Sequence, residues 1–218
     1  TRRSSDLPRN SKEESFSVKI DKTAPTITGD YSYGWTNEDV TISQNASDIL
    51  SGVNRIELYN SSGTKLVNGT SLLSYKVTTE GNTVYTVKAY DNADNVSNKE
   101  IRVKIDKVLP QGIFTPNSSG WRNTNLTVNF DPSDTGGSGV KQWRYAISNN
   151  NGSTYGNWSS YIVGDTTSNI TLTEEGTSKI KVEVIDNADN VNTVTSGSYQ
   201  IDKTKPSGVF TPDSKIWT

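Results

Sequence analysis

The residues best placed to do chemistry are acidic, and they come in copies. Asp91-Asn-Ala-Asp-Asn-Val96 recurs letter for letter as Asp186-Asn-Ala-Asp-Asn-Val191. Upstream, Ser47-Asp48 precedes Ser51-Gly52-Val53, as Ser133-Asp134 precedes Ser138-Gly139-Val140. Carboxylate and amide oxygens converging from separate loops suit calcium, which takes six to eight oxygens in irregular geometry. Asp48, Asp91, Asp94 and Asn95 are the ligand candidates of the first set, and Asp134, Asp186, Asp189 and Asn190 those of the second. An equally strong reading is local, because Asp and Asn side chains bond their own backbone and are selected for that in tight turns. Two carboxylates are also the equipment of a glycosidase. Against that, the pair is copied twice without a surrounding His, Arg cluster or long loop, and the chain is expected to be non-catalytic.

Composition narrows the remaining chemistry. The 218 residues include no Cys and no His, which excludes disulfides, thiolate metal sites and a Ser-His-Asp triad. The net charge of −2 provides no general field for nucleic acid or an anionic membrane. No apolar run approaches the about 20 residues that a membrane helix needs. There is no Met either, so the chain is not expected to begin at a natural translation start, and a missing export signal carries no weight.

These acidic loops belong to a longer repeat. Ile20-Asp21-Lys22-Thr23-Ala24-Pro25 returns as Ile105-Asp106-Lys107-Val108-Leu109-Pro110 and again as Ile201-Asp202-Lys203-Thr204-Lys205-Pro206. A Trp follows each Pro at matching distance (Trp35, Trp121, Trp217), and Glu80-Gly81 answers Glu175-Gly176. Landmarks recurring in one order mark a tandem array. The boundaries expected are residues 1–21 as the tail of a preceding repeat, 22–106 and 107–202 as two complete repeats, and 203–218 as the start of another. Phe16, Val18 and Ile20 would be the last strand of the preceding unit.

Strands must position the loops. Tyr85, Val87 and Ala89 match Ile180, Val182 and Val184 with period two, Ile101, Val103 and Ile105 alternate with Arg102 and Lys104, and Val40 and Ile42 match Leu126 and Val128. Each repeat offers about seven such runs separated by Gly, Asn, Asp and Ser clusters, as in a two-sheet antiparallel sandwich of about 100 residues. The expected strands are A after each Pro, B at Val40 or Leu126, C from Val53 or Val140, then C′, E, F and G. In that topology the B–C and F–G loops share the end at which the chain enters. The acidic sets are therefore expected beside the linker residues Asp21 and Asp106, and an ion there would stiffen the array.

The Ile-Asp-Lys-Thr-x-Pro linkers, the Ser-Asp loops ending in Ser-Gly-Val and the Asp-Asn-Ala-Asp-Asn-Val hairpins resemble the bacterial immunoglobulin-like (Ig-like) repeats of large exported surface proteins, over essentially the whole chain. The resemblance implies an all-β class of tandem antiparallel Ig-like or fibronectin-III-like β-sandwiches. It also implies an extracellular, cell-surface or cell-wall location and a structural or adhesive role as stalk or interaction module. Neighbouring repeats of the same chain are the expected partners, with a host or cell-wall glycan or protein as a further one. The alternative is an accessory, carbohydrate-binding module of a secreted polysaccharide- or cell-wall-acting enzyme.

Aromatic residues supply the other candidate surface. Trp35 and Trp121 are expected to pack at the edge of the core. Tyr155, Trp158 and Tyr161 lie in a segment that gives the second repeat its extra length. They are candidates for stacking against sugar rings or a protein, with cross-strand packing as the competing role. Ser148-Asn-Asn-Asn-Gly152-Ser-Thr-Tyr155 resembles an Asp-box hairpin with Asn in place of Asp and Tyr in place of Trp. Asn-x-Ser/Thr triplets, as at Asn45, Asn125 and Asn157, arise from composition alone.

Overall fold

The computed structural model describes residues 14–209, and among these every regular element is a strand. The first eight are β1 (Thr26–Gly29), β2 (Ser32–Thr36), β3 (Val40–Ser47), β4 (Val53–Tyr59), β5 (Lys65–Gly69), β6 (Leu72–Val77), β7 (Gly81–Asp91) and β8 (Val96–Ile105). They form a three-stranded sheet, β1-β3-β6, packed on a five-stranded sheet, β2-β8-β7-β4-β5. The next nine are β9 (Gln111–Thr115), β10 (Trp121–Arg122), β11 (Leu126–Ser133), β12 (Val140–Ser148), β13 (Ile162–Val163), β14 (Ser168–Leu172), β15 (Gly176–Asp186), β16 (Val191–Thr195) and β17 (Tyr199–Ile201). Here β14-β11-β9 faces β10-β17-β15-β12-β13, with β16 also on β15. Both sets follow one Ig-like plan, A-B-E against A′-G-F-C-C′.

The period-two positions fill the two cores. Ile42, Val87, Ala89, Ile101 and Ile105 are fully buried in one, as are Val128, Ile180, Val182, Val184 and Tyr199 in the other. Removing that apolar surface from water is the main driving force, since no disulfide contributes. Phe130 sits between Phe114 and Trp143, ring centroids 4.8 and 4.9 Å away. The Trp143 Nε1–H donates to the Thr166 carbonyl at 3.1 Å, so the largest buried ring leaves no polar atom stranded. Close packing also fixes Gly112, where an added Cβ would lie 2.1 Å from Phe130 Cζ.

Three features depart from the sequence expectations. Strand A breaks into two pieces on opposite sheets, the second (β2 or β10) pairing parallel with the end of strand G. Trp121 is 62% exposed and does not pack at the core edge; it begins a two-residue strand, exposed at both positions, that pairs along β17. Phe16, Val18 and Ile20 are exposed and form no strand, because no neighbouring strand in the described residues accepts their backbone bonds. Residues 1–13 and 210–218, including Trp217, lie outside the described residues.

Candidate functional site: the carboxylate clusters at the repeat junctions

Strand β3 runs from Asp39 at one pole of the first sandwich to Asp48 at the other, about 27 Å for eight residues. The loop after β3 and the turn between β7 and β8 share the Asp48 pole, where the chain enters. Asp21, Asp48 and Asp91 meet there, with one carboxylate oxygen from each lying within 4.8 Å of the others. Asp106, Asp134 and Asp186 repeat the arrangement at the start of the second sandwich.

Each carboxylate organises a different stretch of backbone. Asp48 Oδ1 accepts from the amides of Leu50, Ser51 and Gly52 at 2.8–3.1 Å. Asp91 Oδ1 accepts from Ala93 and Asn95 amides, and its Oδ2 from the Asn95 side chain at 2.7 Å. Asp21 accepts from Thr23 in its own segment and from Ser51 in the loop, both at 2.9 Å. In the second set Asp106 accepts from Val108 and Ser138, Asp134 from Gly136 and Gly139, and Asp186 from Ala188 and Asn190. Asn190 donates to both the Asp186 carboxylate and the Asp106 carbonyl. Linker, loop and turn are thus sewn into one unit.

For Asp21, Asp91 and Asp106 these bonds favour the charged form. Hydrogen bonds from Ser51 and Thr23 hold the Asp21 carboxyl below the usual range. Burial pushes Asp91 and Asp106 upward, but donors from Asn95 and Ala93, and from Ser138 and Val108, outweigh it and leave both lowered. Each carboxylate has about four lone-pair sites, of which the hydrogen bonds described above fill two or three.

Asp94 and Asp189 stand apart from the clusters. They occupy the left-handed position of the turn, φ +64° and +65°, and Asp189 reaches Lys141 at 2.6 Å. Their identity serves the turn, a conformation that Asp tolerates better than most side chains. The member that sequence reasoning placed only as a neighbour, the linker Asp, is central to each cluster. Its signal was the invariant Ile-Asp-Lys phrase.

The second junction also ties back to the sandwich before it. Lys107 Nζ meets Asp39 Oδ1 at 2.5 Å, with Lys76 on the other carboxylate oxygen at 2.9 Å. The Asp106 amide donates to the Thr36 carbonyl. Trp35 reaches across to Gly137, where an added Cβ would contact its Cη2 at 3.7 Å. Gly136 admits only hydrogen, since a Cβ there would lie 1.9 Å from Asp106 Oδ1.

Tyr155, Trp158 and Tyr161 are brought together on the outer face of β12 and β15. Lys181 lies 4.6 and 4.7 Å from the Tyr155 and Trp158 rings, and Arg144 lies 4.8 and 4.7 Å from those of Trp158 and Tyr161. Glu183 ties Arg144 at 2.8 Å and takes the Tyr161 hydroxyl at 3.2 Å. The turn before them is stitched by Asn150, which accepts from the Thr154 amide, as Asn60 accepts from Thr64 in the first sandwich.

No family model matches the chain, and no curated protein matches it. Among solved structures, the fibronectin(III)-like modules of Clostridium thermocellum CbhA are 15% identical over 86% of this chain and 100% of theirs, with a TM-score of 0.38. A structure of three consecutive titin Ig domains is 11% identical over 82% of this chain and 65% of its own, at 0.45. A 1.5-MDa bacterial ice-binding adhesin is 13% identical over 86% and 68%, at 0.42. The first two are described as fibronectin(III)-like modules and Ig domains; for this chain the class rests on its own strand pairing.

Proposed function

We propose that this chain is a segment of an extended stalk exposed outside the cell, built of serial Ig-like sandwiches that hold an adhesive or catalytic partner at a distance. The observation that carries the reading is the grip on the linker at Asp106. Asp106 is fully buried there, the second sandwich holds its carboxylate through Ser138 and its carbonyl through Asn190, and the first holds the next residue through Asp39. A linker bonded on both sides lacks the slack of a flexible tether.

The clusters are also proposed calcium sites. A hard cation would take up the free carboxylate lone pairs and relieve the repulsion among three acids. Calorimetric titration of the EDTA-treated chain tests this, with heat and a raised melting temperature expected in the micromolar to millimolar calcium range, both diminished in Asp186→Asn. No heat and no melting shift would leave the junctions as hydrogen-bonded staples only.

A second reading is favoured by the aromatic face. Tyr155 and Trp158 are half-buried and Tyr161 is exposed, a surface suited to stacking on sugar rings in an accessory module. Glycan binding lost in Trp158→Ala supports it; a glycan array without a hit retires it.

A further inference from the structure

The outer face that carries Tyr155, Trp158 and Tyr161 also carries cations that no acid of the described chain answers. Lys179, Lys181 and Glu183 alternate along β15 with the core residues Ile180, Val182 and Val184, and so share this face. Glu183 is engaged by Arg144 and by the Tyr161 hydroxyl. Among the described residues no carboxylate forms an ion pair with Lys179 or Lys181, both half-buried. The elements beside them, β12, β16 and residues 149–161, contain no Asp or Glu, and the other acid of β15, Asp186, is buried in the junction cluster. Nor does the fold require these lysines. Val84 and Thr86 hold the matching positions of the first sandwich, where the Arg144–Glu183 pairing recurs with its signs exchanged, Glu57 opposite Lys88. What the second sandwich has beside the lysines is its extra segment. That segment runs back along β12, the Gly156 and Ser159 amides donating to the Ile147 and Tyr145 carbonyls, and sets two rings against Lys181. A ring face attracts an ammonium without cancelling its charge.

We infer that Lys181, with Lys179 beside it, binds the carboxylate of an acidic sugar, so that the ligand of this face is a uronate-bearing polysaccharide. The inference deepens the accessory-module reading and rests on it. Each of the three rings already holds a cation, Lys181 or Arg144, so charge selects among glycans more than stacking does. Two residues along a strand advance by about 7 Å, and lysine stems are long and flexible, so both ammonium groups reach one carboxylate. A neutral sugar would leave them unanswered. The complementarity is local, since the chain as a whole carries a net charge of −2 and attracts no polyanion in general.

Calorimetric titration of the whole chain with oligogalacturonate, and with the same oligomer after methyl esterification, tests it. The acid form is expected to bind with a Kd below about 1 mM, and at least about tenfold more tightly than the ester. Lys181→Gln is expected to weaken it about tenfold and Lys179→Gln less, with melting unchanged in both. Lys88→Gln makes the same charge change on the matching face of the first sandwich and is expected to bind like the parent. No heat with the acid form, an affinity that survives Lys181→Gln combined with Lys179→Gln, an equal loss in Lys88→Gln, or an oligonucleotide that competes equally well would each overturn the inference. Acid and ester bound alike, and both lost in Trp158→Ala, would sink the anionic site while leaving the accessory-module reading standing.

Discussion

The acidic residues divide into two kinds that sequence alone treats alike. Asp91 and Asp186 gather backbone amides, while Asp94 and Asp189 adopt a left-handed turn conformation. The distinction was not legible because both sit in one hexapeptide, and only the folded turn separates them, burying Asp91 and Asp186 and leaving Asp94 and Asp189 exposed. Asp186→Ala is expected to cost at least about 1–3 kcal/mol, since it strands buried amide donors. Asp94→Gly and Asp189→Gly are expected to stay within about 0.5 kcal/mol, glycine's ease at positive φ offsetting its freer unfolded chain. Urea denaturation of the three variants checks the contrast. The lowered carboxyls of Asp21, Asp91 and Asp106 contribute stability above their unfolded value of about 3.9, lost as pH falls through their folded values. Stability is therefore expected to be level from neutrality to about pH 5 and to fall below about pH 4. At the alkaline end Tyr199 is buried and pushed up to about 12, and the Glu57 carboxylate raises Tyr59 to about 12. Both favour the folded state below about pH 10 and stop doing so as pH rises toward 12. Melting temperature against pH shows both edges.

At the scale of elements, alternation identified the strands that form the cores. Val40, Ile42, Tyr85, Val87, Ala89, Ile101, Val103 and Ile105 are all buried where period two puts them. The split of strand A was not legible, because Ser32–Thr36 becomes a strand only through its parallel pairing with β8. Nor was the polar exception in the first core. Lys99 and Gln44 face each other at 2.8 Å, with Tyr31 over the ammonium and the Gly29 carbonyl at 2.6 Å. The second sandwich uses Val194 and Phe130 at the matching positions, so the fold does not require the pair. Gln44→Ala should cost more than its lost packing, because the buried ammonium loses an acceptor. Trp143→Ala is expected to destabilise the second sandwich by about 3–5 kcal/mol while the first keeps its transition, giving two separated melts in calorimetry.

For the whole molecule, the repeat phrase foretold serial units, and strand direction placed the acidic loops at the linker end. What spacing alone did not reveal was how tightly the linker is held. The Lys107–Asp39 pair and the Trp35 contact join residues 68 and 102 positions apart, beyond any local pattern. The central claim, that the Asp106 cluster fixes one sandwich relative to the next, is tested most directly by pulsed-EPR distances between spin labels on the two sandwiches. The chain has no native Cys, so Ser43→Cys with Thr171→Cys, both exposed, labels it cleanly. A narrow distance distribution is predicted, broadening in Asp106→Ala. A distribution already broad in the parent chain, or one that Asp106→Ala leaves unchanged, would contradict the account.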